Sequence, residues 1–286
     1  MTTVYEGEPL TGRAAELRDD DRHDEAIALL RDAVVAGEPS APEELAYALL
    51  GSDHPREALT LLKKVIKRGR TDLFSLLGSL ASELGEAKTA DRAYRQAIAH
   101  GDLSALNDYG LFLKIEGRFP EAVDVLSRSA EFGDVLAPSN LTALYLDDLN
   151  NPQAALEVGE KYLDPHKPAT YSALADVYAT LGRLDDADGL FHRGIELGAP
   201  RIHQQYAWFL WLHQEDLAGA EREFWAAWDN DEAGWSHDLG YFLLEQGRVE
   251  EARAVLERGV TWGDLDAREL LVRLTGELDA GLRKWA

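Results

Sequence analysis

Residues 102–133 read DLSALNDYGLFLKIEGRFPEAVDVLSRSAEFG. Leu106, Tyr109 and Leu113 recur at helical spacing, and Gly117 then interrupts the run. Ala122, Val123, Leu126 and Ala130 form a second run. Asp102 or Ser104 can cap the first helix, and Gly133 can end the second in a left-handed conformation. The stretch therefore reads as two antiparallel helices joined by a short turn. Neither helix can bury its apolar face alone, so a neighbour must cover it.

Neighbours of the same kind lie on both sides. An alanine recurs at Ala26, Ala58, Ala90, Ala122, Ala155, Ala187, Ala220 and Ala252, in steps of 32, 32, 32, 33, 32, 33 and 32. Gly37, Gly69, Gly101, Gly133, Gly198 and Gly263 each follow one of these alanines by 11 residues. A small residue lies 12 before the alanine at Gly78, Gly110, Ala143, Ala175 and Gly240, where it would let two helices approach closely. A turn glycine lies five before it at Gly85, Gly117, Gly182 and Gly247. A large apolar residue lies four after it at Leu30, Leu62, Tyr94, Leu126, Phe191, Phe224 and Leu256. Such a period means one helical unit copied along the chain, stacked around a continuous core. We expect a single domain over residues 1–286, with residues 1–9 as a tail. Residues 264–286 are expected to form a short capping hairpin, with one helix to about Thr275, a break at Gly276 and a second helix ending at Trp285.

The pattern resembles the tetratricopeptide repeat. The endings YRQAIAHGDLSAL (94–106) and LERGVTWGDLDAR (256–268) also look like Sel1-like units. The resemblance implies an all-α fold, an α-solenoid coiled as a right-handed superhelix of about eight hairpins plus the capping hairpin. There are departures. The step is shorter than the roughly 34 residues of the tetratricopeptide unit, and the proline usual at the unit end is missing. The Ala155 unit has Asp164-Pro165 in place of its closing glycine, so its second helix should be short. The Ala220 unit lacks both glycine signals, and its extra residue is placed in the Glu215–Gly219 turn.

In the resembling family the first helix of each hairpin lines a concave groove. The position three before the small residue runs Glu43, Ser75, Asn107, Asn140, Ser172, Gln204 and His237, all polar. It is read as a ladder lining that groove, where amides can grip a peptide backbone from both sides. Lys114 is the one inner base, which does not support a clamp for a C-terminal carboxylate. Trp208, Trp211 and Tyr241 fall on the same inner surface near the C-terminus, and binding hot spots are rich in such residues. Trp225, Trp228 and Trp262, on second helices, are expected to fill gaps between hairpins. The candidate partner-binding set is thus Ser75, Asn107, Lys114, Asn140, Ser172, Gln204, Trp208, Trp211, His237 and Tyr241.

Composition narrows the function class. With 52 acidic and 29 basic residues the formal charge is −23, a field that repels phosphate backbones and anionic membranes. A basic or apolar protein segment suits such a groove better than a nucleic acid or a membrane. The basic run Lys63, Lys64, Lys67, Arg68 and Arg70 reads as a solvated or internally paired helix face. There is no cysteine, hence no disulfide or thiol chemistry. The acids around Asp19–Asp24 lack the order of a calcium loop. The eight histidines show no zinc-binding spacing. Asp147-Asp148 and Asp185-Asp186 read as solvated turn residues. No nucleotide-binding or nucleophile motif occurs, so no catalytic residue, metal or cofactor is expected. No leader or membrane span is legible, so a cytoplasmic protein is expected, and richness in Ala, Asp, Glu and Arg with one Met and few Lys suggests a bacterial source. The reading is a non-enzymatic scaffold that binds a protein or peptide. The alternatives are a sensor that closes on a small peptide or metabolite and, further off, an acidic mimic of nucleic acid. Self-association through end hairpins stays open.

Overall fold

The computed structural model describes residues 9–20 and 22–283, the last seven of these by backbone alone. Residues 1–8 of the expected tail, Asp21 in the acidic turn and Trp285 lie outside the described residues. The described residues form helices and turns, with no strand among them. The chain divides into two compact units, Met1–Asp134 and Val135–Ala286.

The first unit holds four hairpins. They are α1 (Leu10–Asp19) with α2 (His23–Ala36), α3 (Ala41–Gly51) with α4 (Pro55–Ile66), α5 (Phe74–Glu83) with α6 (Ala87–Ala99), and α7 (Ala105–Ile115) with α8 (Phe119–Glu131). The second unit holds four more and a last helix. Here α9 (Ala137–Ala143) continues into a π-helical turn, Leu144–Asp148, and pairs with α10 (Pro152–Tyr162). Then come α11 (Ala169–Thr180) with α12 (Leu184–Glu196), α13 (Ile202–His213) with α14 (Leu217–Asp229), α15 (Trp235–Glu245) with α16 (Val249–Thr261), and α17 (Leu265–Arg283). Within each unit the second helix of one hairpin packs on the first helix of the next. The eight expected hairpins are all present as an α-solenoid.

The capping hairpin takes a different form. α17 runs through Thr275 and Gly276 without a break, as one helix. A glycine inside a helix costs only about 1 kcal/mol relative to alanine. Ala267 and Leu274 on this helix are buried against Leu256 of α16, which favours a continuous helix over a bend.

The alanine register marks the seam inside each hairpin. All eight register alanines have no exposed surface, and the large residues four positions later are at most 2% exposed. Those large residues rest on the small residue of the partner helix. A β-carbon at Gly110 would lie 2.5 Å from Leu126 Cγ, one at Gly78 2.8 Å from Tyr94 Cδ1, and one at Gly240 2.6 Å from Leu256 Cδ2.

The turn position five before the register alanine is left-handed even where glycine is absent. Asp53 (φ 60°), Asn150 (φ 45°) and Glu215 (φ 55°) match Gly85, Gly117, Gly182 and Gly247. Asp231 (φ 52°) likewise takes the role of the closing glycine in the Ala220 unit. The turn geometry belongs to the position, and glycine is its least strained occupant.

The first 33-residue step is absorbed where α9 passes into the π turn. Ala137, Pro138, Leu141 and Thr142 are buried there. They lie 32 residues after Ala105, Leu106, Tyr109 and Gly110 of α7. Thr142, not Ala143, therefore takes the place of the small residue. The π turn swallows the surplus residue, with Leu149 N donating to Leu144 O at 3.1 Å. Asn140 consequently does not occupy the register of Asn107. As expected, α10 is shorter than its counterparts, with 11 residues against 13 in α8.

Acids at the hairpin ends reach back to cap first helices. Glu38 accepts from Leu10 N (2.8 Å) and Thr11 N (3.0 Å). Glu232, at the equivalent position of its own hairpin, accepts from His203 N (3.1 Å) and Gln204 N (3.0 Å). Each carboxylate satisfies two orphan donors at the positive end of a helix.

Candidate functional site

In the first unit, Ser75 on α5 and Lys114 on α7 are half-buried, and Asn107 on α7 is only 7% exposed. In the second, Asn140 on α9 is half-buried, while Ser172 on α11 (2%) and Gln204 on α13 (1%) are sealed. Ser172 Oγ donates to Ala169 O at 3.2 Å within its own helix. Gln204 accepts from Arg201 Nε at 2.8 Å and donates to Ala233 O at 3.0 Å, tying α13 to the loop before α15. The expected polar ladder is therefore not a continuous solvent-lined surface. The reason is geometric: residues three apart share a helix face, so this position follows the small residue into the seam.

The aromatic residues lie elsewhere. Trp208 and Trp211 stack at 5.1 Å, and Tyr241 of α15 lies 6.0 Å from Trp208 and 6.1 Å from Trp211. His237 stacks on Tyr241 at 6.5 Å and approaches Asp238 at 3.1 Å. Edge contacts to Phe224 and Phe242 anchor the two tryptophans, while Tyr241 stays 39% exposed. Two neighbouring first helices thus present one aromatic shelf. Trp225 and Trp228 do fill space on α14, where Trp228 packs on Trp235 at 4.2 Å beneath Arg258. Trp262 is instead 63% exposed.

Beside the shelf is a cavity of about 290 Å³ that sequence reasoning missed. Asp147 of the π turn, Asp176 and Thr180 of α11, and Gln205, Trp208 and His213 of α13 line it. Burial pushes the Asp176 carboxyl up to about 7, and the neighbouring Asp147 charge adds to the shift. No hydrogen bond or ion pair reaches the Asp176 carboxyl among the described residues. Gln205 Oε1 is closed to solvent and accepts no hydrogen bond. Asp147 reads as a turn residue in the sequence because a π turn leaves no recognisable pattern there. One signal was available: Asp176 directly follows Ala175, the position that carries Trp208 and Tyr241 in later units.

The basic run of the first unit is partly neutralised. Lys63 pairs with Glu86 at 2.7 Å and Arg70 with Asp72 at 2.6 Å. A larger cavity of about 670 Å³ lies there, with Lys67, Lys88 and Arg92 around Phe74. Its cations are solvated surface side chains, and no polar atom lining it is withdrawn from water without a partner. No group of three or more His, Asp or Glu able to hold a metal occurs among the described residues. No helix among them is long and apolar enough to cross a membrane.

The tetratricopeptide-repeat family model matches residues 236–258, and the PPR-repeat model matches residues 169–198. Two stretches thus match repeat models, and the fold is that of tetratricopeptide-like repeat proteins. A tetratricopeptide repeat protein from Parabacteroides merdae superposes with a TM-score of 0.58 at 17% identity, covering 82% of this chain and 97% of that one. PilF of Pseudomonas aeruginosa gives 0.50 at 23% identity, covering 72% and 96%. A chain of the APC/C hetero-tetramer Cut9–Hcn1 gives 0.51 at 13% identity over 93% of this chain, which spans 55% of that longer one. At these identities the likeness is one of fold. No curated protein sequence matches the chain. Tetratricopeptide-like repeats generally serve as scaffolds for protein interaction.

Proposed function

We propose that this repeat protein is a non-enzymatic scaffold that receives a protein or peptide segment on the first helices of its second unit. The reading rests on the shelf of Trp208, Trp211 and Tyr241, in which the exposed phenol ring of Tyr241 extends a surface already anchored in the core. Rigid aromatic surface of this kind offers large contact area at little entropic cost. Asp147, Asp176 and Asp238 surround it with acceptors, which favours a segment carrying basic and apolar side chains. His237 and Asn140 are the polar residues of the ladder that keep access to solvent in this unit.

The test is affinity capture from native lysate by wild type, Tyr241→Ala and Trp211→Ala, with circular dichroism confirming that each variant is folded. Both variants should lose the principal captured protein, while Ser75→Ala in the first unit should retain it. Identical capture profiles for all four proteins would sink the assignment.

A further inference from the structure

Four observations meet in the cavity beside the shelf. The first is its size. At about 290 Å³ it sits at the lower edge of the range that holds whole small-molecule ligands, and so suits a single side chain. The second is Asp176, a carboxyl recessed in the cavity with neither a hydrogen bond nor an ion pair, facing the like charge of Asp147. The third is Gln205 Oε1, an acceptor shut off from water and left without a donor. The fourth is the wall made by the rings of Trp208 and Phe209. Thr180 supplies no free donor, since its hydroxyl donates to Asp176 O at 2.9 Å.

The cavity therefore offers carboxyl acceptors faced by π-systems, and the N–H donors among its lining side chains are those of the Gln205 amide, the His213 ring and the Trp208 indole. A recessed carboxyl with no partner is costly to ionise, and a cation beside Asp176 removes that cost. A planar guanidinium supplies several N–H donors in a fork that matches carboxylates and can lie flat on an indole face. An ammonium group has the charge without the plane. We propose that this cavity is a binding pocket for one arginine side chain of the partner segment, held by Asp147 and Asp176 against Trp208. The proposal rests on the scaffold reading above and names the chemistry that the segment must carry.

The titratable groups facing Asp176 are Asp147 on the π turn and His213 on α13. A proton on Asp176 competes with the guanidinium, so affinity should rise with pH through the neutral range.

The probes are N-acetyl-L-arginine amide and its uncharged isostere, N-acetyl-L-citrulline amide, titrated against the full chain with the Trp208 indole resonance as readout. The arginine amide should shift that resonance saturably, with a dissociation constant of the order of 1 mM, and the citrulline amide should not. Asp176→Asn and Asp147→Asn should each weaken binding about tenfold or more, and Asp176→Asn should flatten the dependence on pH. Asp176→Asn removes a buried charge, so its fold is expected to survive, and its thermal melt verifies this. Equal shifts from arginine and citrulline amides, or unchanged affinity in a folded Asp176→Asn protein, overturn the pocket. Tighter binding of free L-arginine than of its blocked amide overturns the assignment to a peptide side chain. Capture of a partner that needs Tyr241 but ignores Asp176→Asn overturns the pocket and leaves the scaffold reading standing. Arginine-amide binding with no dependence of capture on Tyr241 or Trp211 overturns the scaffold reading and leaves the pocket.

Discussion

Asp176 and Glu215 are the residues at which local cost is most visible. Asp176 keeps a carboxyl that burial and Asp147 raise to about 7, far above its value in an unfolded chain. Between those two values the folded state holds the proton more tightly, so stability falls as pH rises from about 4 to about 7. We expect Asp176→Asn to melt higher than wild type at about pH 8 and nearly the same at about pH 4. Parallel melting curves at both pH values would show that burial does not govern this carboxyl. Glu215 holds φ at 55° in a turn that glycine occupies in four other hairpins. Glu215→Gly should stabilise the chain by about 1 kcal/mol, less the entropy that glycine adds to the unfolded state, as read from the urea midpoint.

At the scale of the helix pair, Gly110 and Leu126 form the seam of the α7–α8 hairpin. Adding a β-carbon at Gly110 forces α7 and α8 apart, because Leu126 is fully buried and has nowhere to move. Gly110→Ala should cost about 1–3 kcal/mol. Combined with Leu126→Ala it should cost less than the sum of the two single changes, since the new methyl then enters the space left by the leucine. Additive losses in denaturant titrations would show that the two residues do not share that space. The cap on α1 is a second helix-scale device. Glu38 is 8% exposed, and although burial opposes its charge, the backbone N–H groups of Thr11 and Leu10 hold its pKa below the usual value. A depressed carboxyl contributes stability at neutral pH that is lost as pH falls through its folded value. Glu38→Gln should destabilise by about 1 kcal/mol at neutral pH and by progressively less in acid, and a cap of no consequence would leave both melts unchanged.

At the scale of the whole molecule, the excess of 52 acids over 29 bases acts on every hairpin. Many of the bases are already engaged. Arg118 bridges Asp91 and Glu121 at 2.6 Å, and Arg248 pairs with Glu251 at 2.7 Å. Exposed pairs of this sort contribute little each, and the unbalanced acids repel one another. Raising salt from about 10 mM to about 150 mM should therefore raise the melting temperature, as the screening length shrinks to about 8 Å. The same addition should slow association with a basic segment, while dissociation changes less. A melting temperature that falls with salt would mean that the pairs outweigh the repulsion.

The hairpins are legible in the letters, because every copy must solve the same packing problem. A fully buried alanine, a small residue and a large one recur wherever two helices close on each other, and so the pattern repeats in the letters. It also showed that the Ala155 and Ala220 units were irregular. What those irregularities do depends on packing between helices. A surplus residue can go into a turn or into a helix; here α9 keeps the 32-residue step, which leaves Asn140 out of the register of Asn107, and the π turn after it takes the surplus and sets Asp147 near Asp176. Nor did polarity reveal burial. Ser172 and Gln204 are polar yet sealed, since hydrogen bonds within the fold replace water for them. Trp208 and Tyr241 could be placed together from the register alone. The cavity next to them needs side chains from α11, α13 and the π turn, and no single repeat contains it.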